Sequence, residues 1–137
     1  MEKITIDRNR LEEIIRENKI TDEGVIRGEK YDLNKDFDEE KFIELLTIIP
    51  LIYDTGSIGR GSYGLKHELE YFLSTLYVSN ATAILAFKYL NYRSSRPNEA
   101  QAPNLTIYLK PNIKNNKVMP LARYIRSLKI ESVASNS

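Results

Sequence analysis

Apolar residues recur at helical spacing in several stretches of the chain and alternate with polar ones in two short ones. Lys3 to Asp7 (KITID) alternates and predicts a short strand. Asp7 is placed to cap a helix from Arg8 to about Asn18, with Leu11, Ile14, Ile15 and Asn18 on one face and Glu12, Glu13, Arg16 and Glu17 on the other. Ile20 to Asn34 carries Gly24 and Gly28 and holds no period, so it reads as loop with at most a short strand near Val25–Arg27. Asp38 gives the clearest helix start. Its carboxylate suits a cap, Glu39 and Glu40 fall where the helix dipole favours negative charge, and Phe37 is placed to staple against Phe42. From Phe42 to Ile49 apolar residues cover nearly the whole circumference, which places this helix in the core, and Pro50 is expected to stop or kink it. Leu51–Tyr53 then reads as a brief extended piece.

Leu65, Leu69, Phe72, Leu73 and Leu76 follow the next helical stripe, with Ser62 as its expected cap. Ser79 or Asn80 starts another helix, Ala81 to Leu90. It is apolar on all sides apart from Thr82 and Lys88, so it should be the most buried, with Asn91 closing it in the left-handed conformation. Residues 92–104 read as a polar surface loop, and Leu105 to Leu109 alternates as a strand ended by Pro111. Pro120 suits the first turn of a last helix, with Leu121, Tyr124, Ile125 and Leu128 inward. The sum predicts one compact, mainly α domain over residues 1–137, with four to five helices and a small β element. Its parts are an acidic segment over 1–54, a Gly-rich loop over 55–64, a helical pair over 65–91 and a basic part over 92–137.

Charge sharpens that division. The net charge is only +1, yet residues 1–54 hold nine Lys and Arg against fifteen Asp and Glu, while residues 88–137 hold nine against two. Balances of −6 and +7 in separate blocks predict a dipolar surface or contact with a polyanion through the basic part. The chain has no cysteine, which removes disulfides and thiolate metal sites. With no long apolar run and no charged-then-apolar leader, a cytoplasmic protein without membrane contact is expected.

Residues 55–64 draw attention next, because Gly56, Gly59, Gly61 and Gly64 are four of the six glycines. Gly59 to Gly64 spells G-x-G-x-x-G, the pattern that brings backbone close to a pyrophosphate in dinucleotide-binding folds. The fingerprint requires a second parallel strand after its helix, and here another helix comes next. A kinase glycine loop requires later motifs, and a phosphate loop requires Lys directly after its last glycine, where Leu65 stands. What survives is a general anion site at a helix N-terminus: Gly59, Arg60, Gly61, Ser62, Tyr63, Lys66 and His67. The plainer reading is a tight turn with solvated cations. His67 and Glu70 lie one turn apart, but one histidine and one carboxylate do not fill a metal shell, and no nucleophile motif accompanies them. No catalytic residue, metal or cofactor is expected.

Nucleic-acid contact is the stronger positive reading. Ser62–Leu76 and Ala81–Leu90 are spaced like a helix-turn-helix, but Ala81–Leu90 has almost no polar side chain to offer base edges, so the pair is scaffold. Contact is expected instead from Arg93, Arg96, Lys110, Lys114, Lys117, Arg123 and Arg126, with Tyr89, Tyr92, Tyr108 and Tyr124 among them available for stacking. The first expectation is therefore a non-enzymatic binding protein that meets nucleic acid without sequence specificity. The rival is a structural or interaction module, a homo-oligomer or virion-type component joined through complementary charged surfaces. The run SYGLKHELE followed by YVSN and an alanine-rich helix is similar to stretches of small proteins of viruses and mobile elements, and implies no site residue.

Overall fold

The computed structural model describes residues 5–73, 77–96 and 102–112. Helix α1 (Arg8–Asn18) opens as expected, with the Asp7 carboxylate accepting from the Arg10 N–H at 3.2 Å. Its Leu11, Ile14 and Ile15 turn inward, and Lys19 ends it in the left-handed conformation at φ 53°. Helix α2 (Glu39–Ile52) is capped by Asp38 and stapled by Phe37, whose ring meets Phe42 edge-on at 5.1 Å. Pro50 does not stop it. The helix runs two residues further because Asn112 takes its last carbonyls, the backbone N–H donating to Ile52 O at 2.8 Å and Nδ2 to Pro50 O at 3.1 Å. An external cap thus satisfies acceptors that the helix end cannot.

The larger departure comes immediately after α2. Residues expected to form a brief extended piece and a glycine loop form instead a nine-residue strand, β1 (Tyr53–Gly61), which leads directly into α3 (Ser62–Leu73). Helix α4 (Asn80–Tyr89) comes next, then the two-residue β2 (Ser94–Ser95) and β3 (Thr106–Pro111). The strands form one antiparallel sheet in the order β1-β3-β2. With four helices and this sheet among the described residues, the molecule is mixed α and β rather than mainly α. Local pattern hid β1 because glycines and polar residues dominate it. Its stability comes from pairing with β3, a contact between residues some fifty positions apart.

Two glycines show why that strand is glycine-rich. Thr55 and Ile58 both register against Leu109, so Gly56 and Ser57 are extra residues in a bulge. A Cβ on Gly56 would stand 2.7 Å from the Leu109 carbonyl carbon, and one on Gly59 would press on Thr106 and Tyr108 at 3.1 and 3.2 Å. The neighbouring strand lies across these positions.

The core gathers the inward faces of these four helices and of β3. Helix α4 is its centre: every residue from Asn80 to Phe87 is buried, and it packs against α1, α2 and α3. Ser79 caps it through the Thr82 N–H at 3.0 Å, and Asn91 closes it at φ 67°. Leu105, Ile107 and Leu109 point from β3 and the residue before it into the same core. Burying a side chain of this size contributes about 1.5–3 kcal/mol. The strand expected over Lys3–Asp7 falls partly outside the described residues, and residues 5–7 are not in a strand. The helix expected after Pro120 lies wholly outside them.

Candidate functional site

Alternation in β3 sends Ile107 and Leu109 to the core and therefore Thr106, Tyr108 and Lys110 to the other face. Across from them in β1 stand Gly61, Gly59 and Asp54, so this outer face is nearly free of side chains on the β1 side. On the β2 side the Tyr108 N–H donates to the Arg93 carbonyl at 2.9 Å, and Ser95 registers against Thr106. The Arg93 guanidinium carbon stands 5.7 Å from the Tyr108 ring centroid, and a hydrogen bond of 3.0 Å joins the Tyr108 hydroxyl to Ser95 Oγ. Arg93 Nη2 also donates to the Gly56 carbonyl at 3.3 Å. Arg93, Lys110 and the bulge residues Thr55 to Ile58 border an open groove of about 460 Å³. Arg93 and Lys110 are exposed, and among the described residues neither makes an ion pair. Asp54, opposite Lys110 in register, is exposed as well.

The other expected contacts divide. Arg96 turns away from this face, its Nη2 donating to the Glu17 carbonyl of α1. Lys88 is half-buried with Nζ 2.8 Å from Ser94 Oγ, and burial lowers its pKa against the opposing pull of Glu17. Lys114, Lys117, Arg123 and Arg126 lie outside the described residues, as does Tyr124. Of the remaining tyrosines, Tyr92 is buried with its hydroxyl donating to the Tyr53 carbonyl at 2.6 Å, and burial pushes its pKa up to about 12. Tyr89 accepts from the Asp7 N–H and lies under the Arg10 guanidinium at 4.5 Å. Tyr108 alone of the three is placed for stacking from the sheet.

The residues grouped as an anion loop are in a different situation. Gly59 and Gly61 belong to β1, so the G-x-G-x-x-G pattern straddles a strand-to-helix junction, but the sheet is antiparallel and α3 leads to α4. Ser62 does not cap α3; it is buried, and its hydroxyl accepts from the Leu105 N–H at 3.0 Å while its own N–H donates to the Leu105 carbonyl. Arg60 grips Glu68 with two hydrogen bonds, at 2.9 and 3.3 Å, and the Tyr53 hydroxyl donates to the same carboxylate. Glu68 raises the Arg60 pKa, and burial followed by Glu68 raises that of Tyr53. Lys66 is buried, 3.3 Å from Glu70, and His67 Nδ1 lies 2.7 Å from the other oxygen of Glu70. Burial raises the Glu70 carboxyl, but the Val78 N–H at 2.8 Å, Lys66 and His67 outweigh it and hold it below its ordinary range. Arg60, Lys66 and His67 thus all face carboxylates of α3. Tyr63 is left exposed.

Sequence reasoning named Arg93, Lys110 and Tyr108 but had no means of grouping them. Ser95 and the β1 bulge were missed. The Tyr-x-Lys spacing in LTIYLK, on one face of an alternating strand, was the available signal. No group of His, Asp and Glu suited to a metal occurs among the described residues, and no helix among them is long and apolar enough to cross a membrane. No family model matches the chain, and no curated protein or solved structure is significantly similar to it.

Proposed function

We propose that this protein acts by binding rather than catalysis, and that it holds single-stranded nucleic acid on the outer face of its sheet without sequence specificity. What carries the reading is one juxtaposition: Tyr108 on a glycine-flattened face, with Arg93 over its ring and Lys110 two residues along the same strand. Strand binders that ignore sequence combine an aromatic platform for bases with cations that track the backbone, since every base has a π-face and every nucleotide a phosphate. Anisotropy of a labelled oligothymidylate across a salt series tests it. Affinity should fall as salt rises, and Tyr108→Ala should weaken binding at every salt concentration. No binding at low salt, or binding indifferent to salt, removes the proposal.

A second reading keeps one supporting observation. Glu12, Glu13, Glu39 and Glu40 are exposed, and no described ion pair joins α1 or α2 to Arg93 or Lys110. Exposed carboxylates and unpaired cations on one molecule suit self-association through complementary charged surfaces. Light scattering at low and high salt separates the two: a monomer in both removes self-association.

A further inference from the structure

In the order β1-β3-β2 one side of β1 is taken by β3, and among the described residues no strand lies along the other. Two bonds decide which backbone groups this leaves outward. The Tyr108 N–H donates to the Arg93 carbonyl at 2.9 Å, so Tyr108 turns its backbone toward β2. The Leu105 carbonyl accepts from the Ser62 N–H at 2.8 Å, so Leu105 turns toward the β1 side. Alternation then sends Ile107 and Leu109 toward β1, and Thr106 with Tyr108 toward β2. Gly59 and Gly61, registered against Tyr108 and Thr106, therefore direct their N–H and carbonyl groups away from β3, to the open edge.

Sheet edges are ordinarily blunted by a bulge, a charge, a proline or a covering element. The first half of β1 has such a device, the Gly56–Ser57 bulge, and Arg93 already takes its Gly56 carbonyl. The second half, Ile58–Gly61, has none. It holds no proline, its one charge at Arg60 is paired with Glu68, and Ile58 is 54% exposed. A Cβ on Gly61 would meet nothing within 4 Å, so no described atom crowds that end of the edge. An extended peptide added here gains backbone bonds but little selectivity, because the two outward residues are glycines and offer it no side-chain pocket. A second β1 brings its own complement.

We infer that β1 pairs antiparallel with β1 of a second copy, about a two-fold axis at Gly59. Gly59 then exchanges both backbone bonds with Gly59 of the second copy. Ile58 falls opposite Arg60 of that copy, against the aliphatic stem of an arginine whose charge Glu68 already balances. The alternative axis, at Arg60, places two arginines directly opposite each other and is disfavoured. The two sheets become one, and the outer faces that carry Tyr108 and Lys110 adjoin. So short a pairing gives a weak, concentration-dependent dimer rather than an obligate one. It has the same partner as the self-association reading above but uses backbone groups instead of complementary charge, and it does not depend on nucleic-acid binding.

Sedimentation velocity of the full chain over a range of concentrations, at low and high salt, tests the pairing. The parent should dimerise as concentration rises at both ionic strengths, because salt screens charges and not strand pairing. Ile58→Lys puts a cation opposite Arg60 of the second copy. Gly61→Pro removes an outward N–H at a glycine that has no positive φ and space for a Cβ, and leaves the bonds to β3 in place. Each should weaken the dimer at least about tenfold, since a two-fold interface meets every change twice, with far-UV circular dichroism unchanged. Amide exchange of the parent at Gly59 and Gly61 should slow as concentration rises. A monomer throughout, a dimer lost at high salt, folded variants that dimerise like the parent, or exchange at those amides indifferent to concentration each overturns the inference. A dimer lost at high salt leaves the charged-surface reading standing; a monomer throughout removes both.

Discussion

The charged groups around α3 and those on the outer sheet face receive opposite treatment from the same fold. Beside α3, Arg60, Lys66 and His67 are each within hydrogen-bonding distance of Glu68 or Glu70, and Tyr53 and the Val78 N–H join them. On the sheet, Arg93 and Lys110 are exposed beside an aromatic ring and pair with no carboxylate among the described residues. The first set ties elements to one another. The second leaves the cations exposed, Arg93 held by the Gly56 carbonyl and the Tyr108 ring rather than by a carboxylate. A glycine-rich sequence and a +7 balance do not tell these apart; partner geometry does.

That contrast predicts unequal responses to mutation. Glu70→Ala leaves the buried Lys66 ammonium and the Val78 N–H without their acceptor, so it should cost about 3–5 kcal/mol in urea unfolding. A loss below about 1 kcal/mol would show that the cluster is not structural. Gly56→Ala forces a methyl against the Leu109 backbone and should destabilise by about 1–3 kcal/mol, with nucleic-acid binding weakened through the distorted bulge. Tyr108→Ala belongs to the other class: about 1–3 kcal/mol lost from oligothymidylate binding for a stacked base, with the unfolding midpoint barely moved. Arg93→Gln and Lys110→Gln should each reduce the slope of log affinity against log salt by about 0.7, and alter stability by less than about 0.5 kcal/mol. If either lowers stability as much as Glu70→Ala, the division fails.

A pH measurement sharpens the same division. The folded Glu70 carboxyl lies below its ordinary value of 4.5, so its contribution is complete above that pH and fades as pH falls through the folded-state value. Glu70→Gln should therefore flatten the acid limb of the stability profile below about pH 4.5, whereas Lys110→Gln should leave that limb unchanged.

By itself the sequence determined where α1, α2 and α4 begin and most of the apolar faces that the described helices bury. Asp7, Asp38 and Ser79 cap where local chemistry says they should, and the all-apolar run at α4 became the centre of the core, because capping and amphipathic spacing are written within a few residues. The strand β1 and the fate of the cations were settled only by tertiary structure. β1 exists because β3 lies alongside it, and α2 outlasts Pro50 because Asn112 reaches its carbonyls. Lys66 reads in sequence as a solvated cation one turn before Glu70; it is buried because Tyr63, Tyr77 and Glu70 close around it. Pairing, capping from afar and burial all depend on groups distant along the chain, and local pattern has no access to them.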